Sequence, residues 1–180
     1  MEKEYVVISA LGADRLGIVD DIASIIVSLN CNIEESKMAV LGGEFAVIML
    51  VSGSATGIQA LQDKNLTQWQ SLGLHIEIRA TKAPRYSQGR PYVLESFSLD
   101  TPGILHSLTA VLKSEGINIE DLETETTAAP WTGAPMFKMR IRFSLAPEKA
   151  LAPFRRLIEE LAEQQDLDIR LDALTGFTPE

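Results

Sequence analysis

The chain has 180 residues, of which 46% are apolar and 23% charged, proportions that suit one medium domain or two small ones. Its 16 basic and 25 acidic residues give a net charge of −9, which opposes direct binding to DNA or RNA. The single cysteine, Cys31, allows no intrachain disulfide, which favours a reducing compartment. The acidic N-terminus is not typical of a signal peptide, and no apolar run approaches the ~20 residues of a membrane helix. We therefore expect a cytoplasmic protein.

The first half of the chain alternates between strand-like and helix-like segments. A segment rich in β-branched and aromatic residues predicts the first strand, and the apolar residues after it recur at the spacing of one helix face. The elements predicted in this half are strand 5–11, helix 17–29, strands 33–41 and 45–51, a shorter helix over 56–71 and strand 75–81.

Pro, Gly and polar residues over 81–91 predict a connection, after which the same order of elements returns. The elements predicted in the second half are strand 92–99, helix 103–114, strands 118–127 and 136–145, a helix whose apolar face runs from Leu151 to Leu161 with Pro153 in its first turn, and strand 168–174.

The two halves also share residues when the sequence is shifted on itself by 86 positions. The apolar helix positions agree in kind, because Ile18, Val19, Ile22, Ile25 and Ile26 fall on Ile104, Leu105, Leu108, Val111 and Leu112. Identical residues at this offset include Asp14 and Asp100, Gly17 and Gly103, Ile18 and Ile104, and Asn32-Ile33-Glu34 and Asn118-Ile119-Glu120.

Each half therefore reads as βαββαβ, which predicts an α+β protein made of two tandem ferredoxin-like domains. In each domain a four-stranded antiparallel sheet should carry two helices on one face. The predicted boundaries are 1–83 for the first domain, 84–91 for the linker and 92–180 for the second domain.

The third strands of the two domains differ on the face that should point away from the helices. In the second domain Lys138, Arg140 and Arg142 lie on this face and predict contact with water. In the first domain Ala46, Ile48 and Leu50 take the same places. We therefore expect the open face of the first sheet to be covered, either by the other domain or by a second chain.

The sequence carries no recognisable catalytic constellation. His75 and His106 are the only histidines, no Cys/His cluster has the spacing of metal ligands, and Cys31 is expected to be a small, nearly buried apolar residue. Trp69 is expected in the core of the first domain. We predict no enzymatic activity, no metal and no cofactor.

Two segments carry a family resemblance. "LDTPGILHSLTAVLKSEGINIEDLETET" and "ADRLGIVDDIASIIVSLNCNIEES" both resemble the ACT domain, a regulatory module that binds amino acids. The later "INIEDLETETTAAPWTGAPMF" further resembles the glycine-cleavage-system transcriptional repressor family, whose members are freestanding tandem-ACT proteins without a catalytic domain.

The resemblance implies that a small amino acid, with glycine as the first candidate, binds near the loop between the first strand and first helix, usually where two domains meet. The loop glycines would admit the ligand to the backbone, the helix N–H groups would receive its carboxylate and an aspartate its ammonium. The residues implied are Asp14, Arg15, Leu16, Gly17 and Asn32 in the first domain, and Asp100, Thr101, Pro102, Gly103 and Asn118 in the second.

Structural roles explain several of these residues equally well. Asp14 and Asp100 could be helix N-caps, and Pro102 suits a first helical turn. Gly17 and Gly103 could allow close helix–sheet packing. Asn32 and Asn118 could tolerate a left-handed turn.

The two loops differ, since Arg15 and Leu16 replace Thr101 and Pro102. Arg15 could clamp a carboxylate or simply be solvated. In the second domain the loop 126–135 is six residues longer than its counterpart and holds Trp131 between two prolines. Trp131 could bind a partner or cap its own core or the domain interface.

By the same resemblance, the protein is expected to be a non-enzymatic, amino-acid-responsive transcriptional regulator. It would act through a protein partner such as a DNA-binding transcription factor, and a homodimer is possible. The alternatives are a detached regulatory subunit of an amino-acid metabolic enzyme and an interaction module without a ligand.

Overall fold

A computed structural model describes residues 3–63, 67–83 and 89–174, in two units that comprise residues 1–85 and 86–180. The first unit contains β1 (Glu4–Ala13), α1 (Ile18–Ser28), β2 (Asn32–Leu41), β3 (Glu44–Gly53), α2 (Ala55–Gln62), α3 (Thr67–Ser71) and β4 (His75–Thr81). The second contains β5 (Arg90–Leu99), α4 (Ile104–Ser114), β6 (Ile119–Ala128), β7 (Pro135–Leu145), α5 (Leu151–Gln165) and β8 (Asp168–Ala173).

Each unit is a four-stranded antiparallel sheet with its helices on one face, which confirms the predicted ferredoxin-like fold. The strand order is β2-β3-β1-β4 in the first sheet and β6-β7-β5-β8 in the second. The central pairs have equivalent registers, with Ser9 opposite Ile48 and Glu95 opposite Arg140. The repetition in the sequence is therefore a repetition of topology and register.

The helix stripes read from the sequence supply one side of each core. Helix α1 buries Ile18, Ile22, Ile25 and Ile26 against its sheet. Helix α4 buries Ile104, Leu108 and Leu112. In each helix the buried face is one residue narrower than predicted, because Val19 of α1 is 41% exposed and Leu105 of α4 is 39% exposed.

The repeated Asn-Ile-Glu motif has a structural role at the start of β2 and β6. In both strands the pairing register shifts across the glutamate, between Ile33 and Glu35 and between Ile119 and Asp121. Such an extra residue in one strand is a β-bulge, which bends the strand as it leaves the preceding turn. Glu34 and Glu120 are thus the bulged residues of the two units.

One predicted helix is wrong. The helix over 56–71 is two helices, because Asp63 has an extended backbone (φ −68°, ψ 106°) that ends α2 after Gln62. Strand β5 begins at Arg90, two residues before the predicted strand 92–99. Residues 84–88 of the predicted linker 84–91 lie outside the described part of the chain.

On the open face of the first sheet Ile48 is 51% exposed and Leu50 is half-buried. The wet face predicted for the second sheet is observed, since Lys138, Arg140 and Arg142 are exposed. Arg140 pairs with Glu95 on the neighbouring strand at 3.6 Å.

Candidate functional site

The strand-to-helix corner of each unit is a loop of four residues, Asp14–Gly17 and Asp100–Gly103. Both helices begin directly after the glycine. Gly17 (φ 82°) and Gly103 (φ 104°) are the residues that precede the first helical residue, and both have a left-handed backbone. This conformation costs little for glycine alone, which explains why the two glycines repeat.

Three structural roles suggested for the corner residues are wrong. Pro102 does not lie in a first helical turn, because α4 begins at Ile104. A Cβ at Gly17 or Gly103 would meet no atom within 4 Å, so these glycines do not serve close packing. Neither helix has a side-chain N-cap hydrogen bond, because the cap position belongs to the glycine and lies three residues after the aspartate. Asp14 and Asp100 are therefore not N-caps.

A backbone hydrogen bond from each aspartate joins the corner to the neighbouring hairpin. The Asp14 N–H donates to the Gly43 carbonyl at 2.9 Å, and the Asp100 N–H donates to the Pro135 carbonyl at the same distance. The Thr126 hydroxyl also lies 3.3 Å from Asp100 Oδ2 and can donate to it. The Asp100 carboxylate is thus held beside the corner with its other oxygen available.

Arg15 does not project freely as a carboxylate clamp. Its Nη2 lies 2.7 Å from Asp21 Oδ2, so the guanidinium folds over the first turn of α1. Leu16 is fully exposed. Thr101 and Pro102, which take these places in the second unit, are exposed too.

Asn32 and Asn118 lie at the opposite end of the sheet from the corner of their own unit. In the first sheet Ala13 pairs with Glu44, whereas Asn32 pairs with Ser52. Eight residues of strand separate these positions on β3, which corresponds to about 27 Å. The second unit repeats this geometry, so no single corner brings its aspartate and its asparagine together.

The asparagines do not occupy the left-handed turn positions either. The positive φ angles belong to Asn30 (55°) and Gly116 (60°), two residues before each asparagine. Asn32 instead helps to lower the pKa of the Glu34 carboxyl group, and this carboxylate accepts a hydrogen bond from the buried Ser52 hydroxyl and pairs with Lys3. Ser52 is the largest of the contacts that hold the pKa of Glu34 below its ordinary value.

Trp131 is 97% exposed, so it does not cap the core of its own unit. The loop around it is stiffened by hydrogen bonds from the Ala129 N–H to the Ala134 carbonyl (2.8 Å) and from the Gly133 N–H to the Ala129 carbonyl (2.9 Å). An ordered hairpin tip thus presents an indole to solvent. Trp69, by contrast, is in the core as predicted, at 6% exposed.

Two buried hydroxyls near the second corner were missed by the sequence analysis. Ser96 and Ser98 are 3% and 7% exposed, and neither hydroxyl has a hydrogen-bond partner. Their signal in the sequence was the appearance of serine at two inward positions of a strand. Cys31 is buried as expected, and this burial raises the pKa of its thiol.

The described residues contain no group of three or more His, Cys, Asp or Glu side chains placed to hold a metal ion. Within the same ranges, no helix is long and apolar enough to cross a membrane. A depression of about 420 Å³ lies on the open face of the first sheet, where Val7, Ile48 and Leu50 form its floor and Glu35 and Lys37 its side.

The repeated fold and its strand-to-helix corners agree with a domain family that comparison with known proteins identifies. Residues 4–79 match the family model of the ACT domain. A UPF0237 protein of Methanosarcina mazei is 28% identical over 88 residues, which is 48% of this chain and 96% of that protein. One unit of this chain therefore corresponds to a whole small protein elsewhere.

Similarity over both units is stronger. The glycine cleavage system transcriptional repressor of Escherichia coli K12 is 33% identical over 173 residues, which cover 93% of this chain and 90% of that protein. The chain therefore belongs to the glycine cleavage system transcriptional repressor family, and this membership supports a regulatory role.

Solved structures agree with the fold. The crystal structure of an unknown protein from Galdieria sulphuraria is 34% identical, has a TM-score of 0.81, and covers 97% of this chain and 100% of its own. A second crystal structure, 22% identical with a TM-score of 0.73, shares the fold over 98% of this chain.

Proposed function

We propose that this protein is a non-enzymatic regulator that binds a small amino acid, with glycine as the first candidate, and transmits its presence to a protein partner. The observation that carries the proposal is the repeated corner. In each unit a left-handed glycine opens a helix that has no side-chain cap, beside an aspartate that does not serve as one.

These features are suited to a zwitterion. The first N–H groups of a helix have no intrahelical acceptors and lie at the positive end of the helix dipole, so they attract a carboxylate. The aspartate carboxylate, three residues before the N-cap glycine, can accept from an ammonium group. Asn32 and Asn118 are too distant from their own corners to share such a ligand, so the proposal rests on the loop residues.

The partner is proposed to be a DNA-binding transcription factor, by analogy with the named repressor of E. coli. Its involvement agrees with the net charge of −9, because a chain with this charge gains little from a phosphate backbone. Ligand binding would shift the population between two states that differ in affinity for the partner, and partner binding would alter ligand affinity by the same factor.

Isothermal titration with glycine, alanine and serine tests the ligand. We expect at least one of them to bind the wild-type chain, and at least one of the variants Asp100→Ala and Asp14→Ala to weaken that binding about tenfold or more by loss of a charge-assisted hydrogen bond. Glu148→Ala, which changes an exposed carboxylate after β7, is a matched control and should leave affinity unchanged. The ligand proposal is wrong if none of the three amino acids binds.

A further inference from the structure

We infer that the amino acid proposed above binds at the corner of the second unit and not at that of the first, with the hydroxyls of Ser98 and Ser96 as part of the site. This inference rests on the proposed function and adds to it which of two homologous corners works. The corners share topology and the left-handed glycine, so the difference must lie in the side chains around them.

The buried hydroxyls are the first difference. Ser96 and Ser98 lie on the helix-facing side of β5. The residues between and beside them, Glu95, Phe97 and Leu99, are exposed on the opposite side of the strand. A buried hydroxyl without a partner is destabilising, because folding removes it from water and returns no hydrogen bond. The equivalent residues of the first unit are Ala10 and Gly12, which have no such groups.

The position of Ser98 relates the hydroxyls to the corner. Ser98 is the last inward residue of β5, and only the four-residue loop separates the end of this strand from α4. Ile104, the first residue of α4, belongs to the same buried cluster as Tyr92 and Leu94 of β5, so the start of α4 packs on the helix-facing side of the sheet. The Gln165 amide donates to the Ser107 hydroxyl at 2.8 Å, which fixes the end of α5 beside this turn.

Charge is the second difference. The first turn of α1 contains Asp20 and Asp21, whereas the first turn of α4 contains no acidic residue. Carboxylates at a helix N-terminus compete with an incoming anion for the same positive dipole end. Arg15 does not offset this competition, because it is already paired with Asp21.

Space is the third difference. A Cβ placed on Gly12 would lie 2.8 Å from Leu74 Cδ2 and 3.3 Å from the Gly73 carbonyl oxygen. The first unit therefore places the Leu74 side chain and the Gly73 carbonyl close to the position that the Ser98 Cβ occupies in the second unit. The first corner lacks the hydroxyl, and a serine at Gly12 would have to displace Leu74.

The geometry points to a ligand with a carboxylate and a very small side chain. The N–H groups at the start of α4 and the Ser98 hydroxyl would donate to the carboxylate, and Asp100, steadied by Thr126, would accept from the ammonium group. Since Ser98 is only 7% exposed, access favours glycine over larger amino acids.

The test combines titration with thermal unfolding of the full chain, using glycine as the probe. Ser98→Ala and Ser96→Ala/Ser98→Ala should weaken glycine binding about tenfold or more, yet raise the unliganded melting temperature because an unsatisfied hydroxyl is removed. Ala10→Ser, the converse change in the first unit, should leave affinity unchanged. Arg15→Ala should do the same.

Amide chemical shifts locate the ligand independently of these variants. Glycine should move the Gly103 and Ile104 resonances and leave those of Gly17 and Ile18 in place, with one glycine bound per chain. Binding that survives Ser96→Ala/Ser98→Ala but is lost in Arg15→Ala, or two glycines per chain, would overturn the inference and leave the proposed function standing. If neither glycine nor alanine nor serine binds, both are wrong.

Discussion

Gly17 and Gly103 are the corner residues whose identity the backbone requires. Their φ angles of 82° and 104° place them where a Cβ is strained, even though no neighbouring atom would obstruct it. The conserved spacing of Asp and Gly between the units had suggested that the aspartate begins the helix. The structure places Gly17 and Gly103 at the N-cap position, so Asp14 and Asp100 do not cap the helices.

Alanine substitution at the corners should separate these roles. Gly103→Ala should lower the free energy of unfolding by about 1–2 kcal/mol, the cost of a left-handed conformation in a residue with a Cβ. Asp100→Ala should change it by less than about 0.5 kcal/mol, since no cap is lost. Denaturant unfolding measures both.

A true N-cap in the same chain provides the control. The Ser54 hydroxyl accepts from the Gly57 N–H at 3.2 Å, so Ser54→Ala should cost about 1 kcal/mol. If Asp100→Ala costs as much as Ser54→Ala, the assignment of the cap position to Gly103 is incorrect.

The surroundings of Glu34 lower the pKa of its carboxyl group, and this effect can be tested. Its pKa is lowered mainly by the Ser52 hydroxyl, then by Asn32 and Lys3. A lowered folded-state pKa adds stability above the unfolded-state pKa, and this contribution is lost as the pH falls through the folded value. We therefore expect Ser52→Ala to raise the pKa of Glu34 toward 4.5, as measured by carboxyl-carbon NMR titration.

The matched comparison is Lys3→Ala, which should move the same pKa less because Lys3 contributes less than Ser52. The stability difference between Ser52→Ala and the wild type should also narrow toward acid pH. An unchanged Glu34 titration in Ser52→Ala would show that the hydroxyl does not stabilise the carboxylate.

At the scale of elements, the hairpin between β6 and β7 is the feature that distinguishes the second unit. In the first unit only Gly42 and Gly43 separate β2 from β3, whereas six residues separate β6 from β7. Two backbone hydrogen bonds, between Ala129 and Ala134 and between Gly133 and Ala129, close the longer tip. A rigid loop with an exposed indole is typical of a binding hot spot, because little entropy is lost on contact.

Trp131→Ala should therefore leave folding intact and reduce partner binding. We expect the melting temperature to change little, since Trp131 is 97% exposed. Capture from a cell extract with identification by mass spectrometry should recover a DNA-binding protein with the wild type and markedly less of it with Trp131→Ala. Recovery of a metabolic enzyme would favour the regulatory-subunit alternative.

Trp131→Phe is the conservative control and should retain part of the binding through its ring. Equal recovery of the DNA-binding protein by the wild type and Trp131→Ala would exclude the hairpin tip as the partner surface.

At the scale of the whole molecule, the open face of the first sheet remains to be explained. Its central row is Ala46, Ile48 and Leu50, where the second sheet has Lys138, Arg140 and Arg142. On the same face, each of the two outer strands carries one acidic and one basic side chain. These are Glu35 and Lys37 on β2, and Glu77 and Arg79 on β4. A face with an apolar centre and both signs on each flank is complementary to itself, as a twofold interface requires.

We therefore propose a second copy of the chain as the cover for this face. Ile48→Arg, which installs the residue found at the equivalent place in the second unit, should weaken the dimer at least a hundredfold because it buries an unpaired charge. Sedimentation equilibrium measures this change. Val27→Arg, at a residue that is 68% exposed on α1, is the control and should leave the dimer intact.

A wild-type chain that stays monomeric at 100-fold the concentration used for the titrations would contradict the dimer. So would a dimer that Ile48→Arg leaves unchanged. Either result would leave the exposed Ile48 without an occupant and would not affect the corner sites.

The sequence by itself determined the repeated fold, because local patterns suffice for it. Strand alternation, helix stripes and the shared Asp, Gly and Asn-Ile-Glu residues all depend on neighbours within a few positions along the chain. The same reasoning identified Trp69 as core and the wet face of the second sheet. It failed at Asp63, where one extended residue divides the predicted helix 56–71.

Only the tertiary structure decided which residues share a site. Asn32 follows the corner by a single helix in the sequence, yet antiparallel pairing through β3 places it at the far end of the sheet from Asp14. The unpaired hydroxyls of Ser96 and Ser98 were equally invisible, since burial and the absence of a partner depend on what packs over β5. Sequence periodicity specifies faces of elements, whereas distances between ends of a sheet follow from how the strands pair.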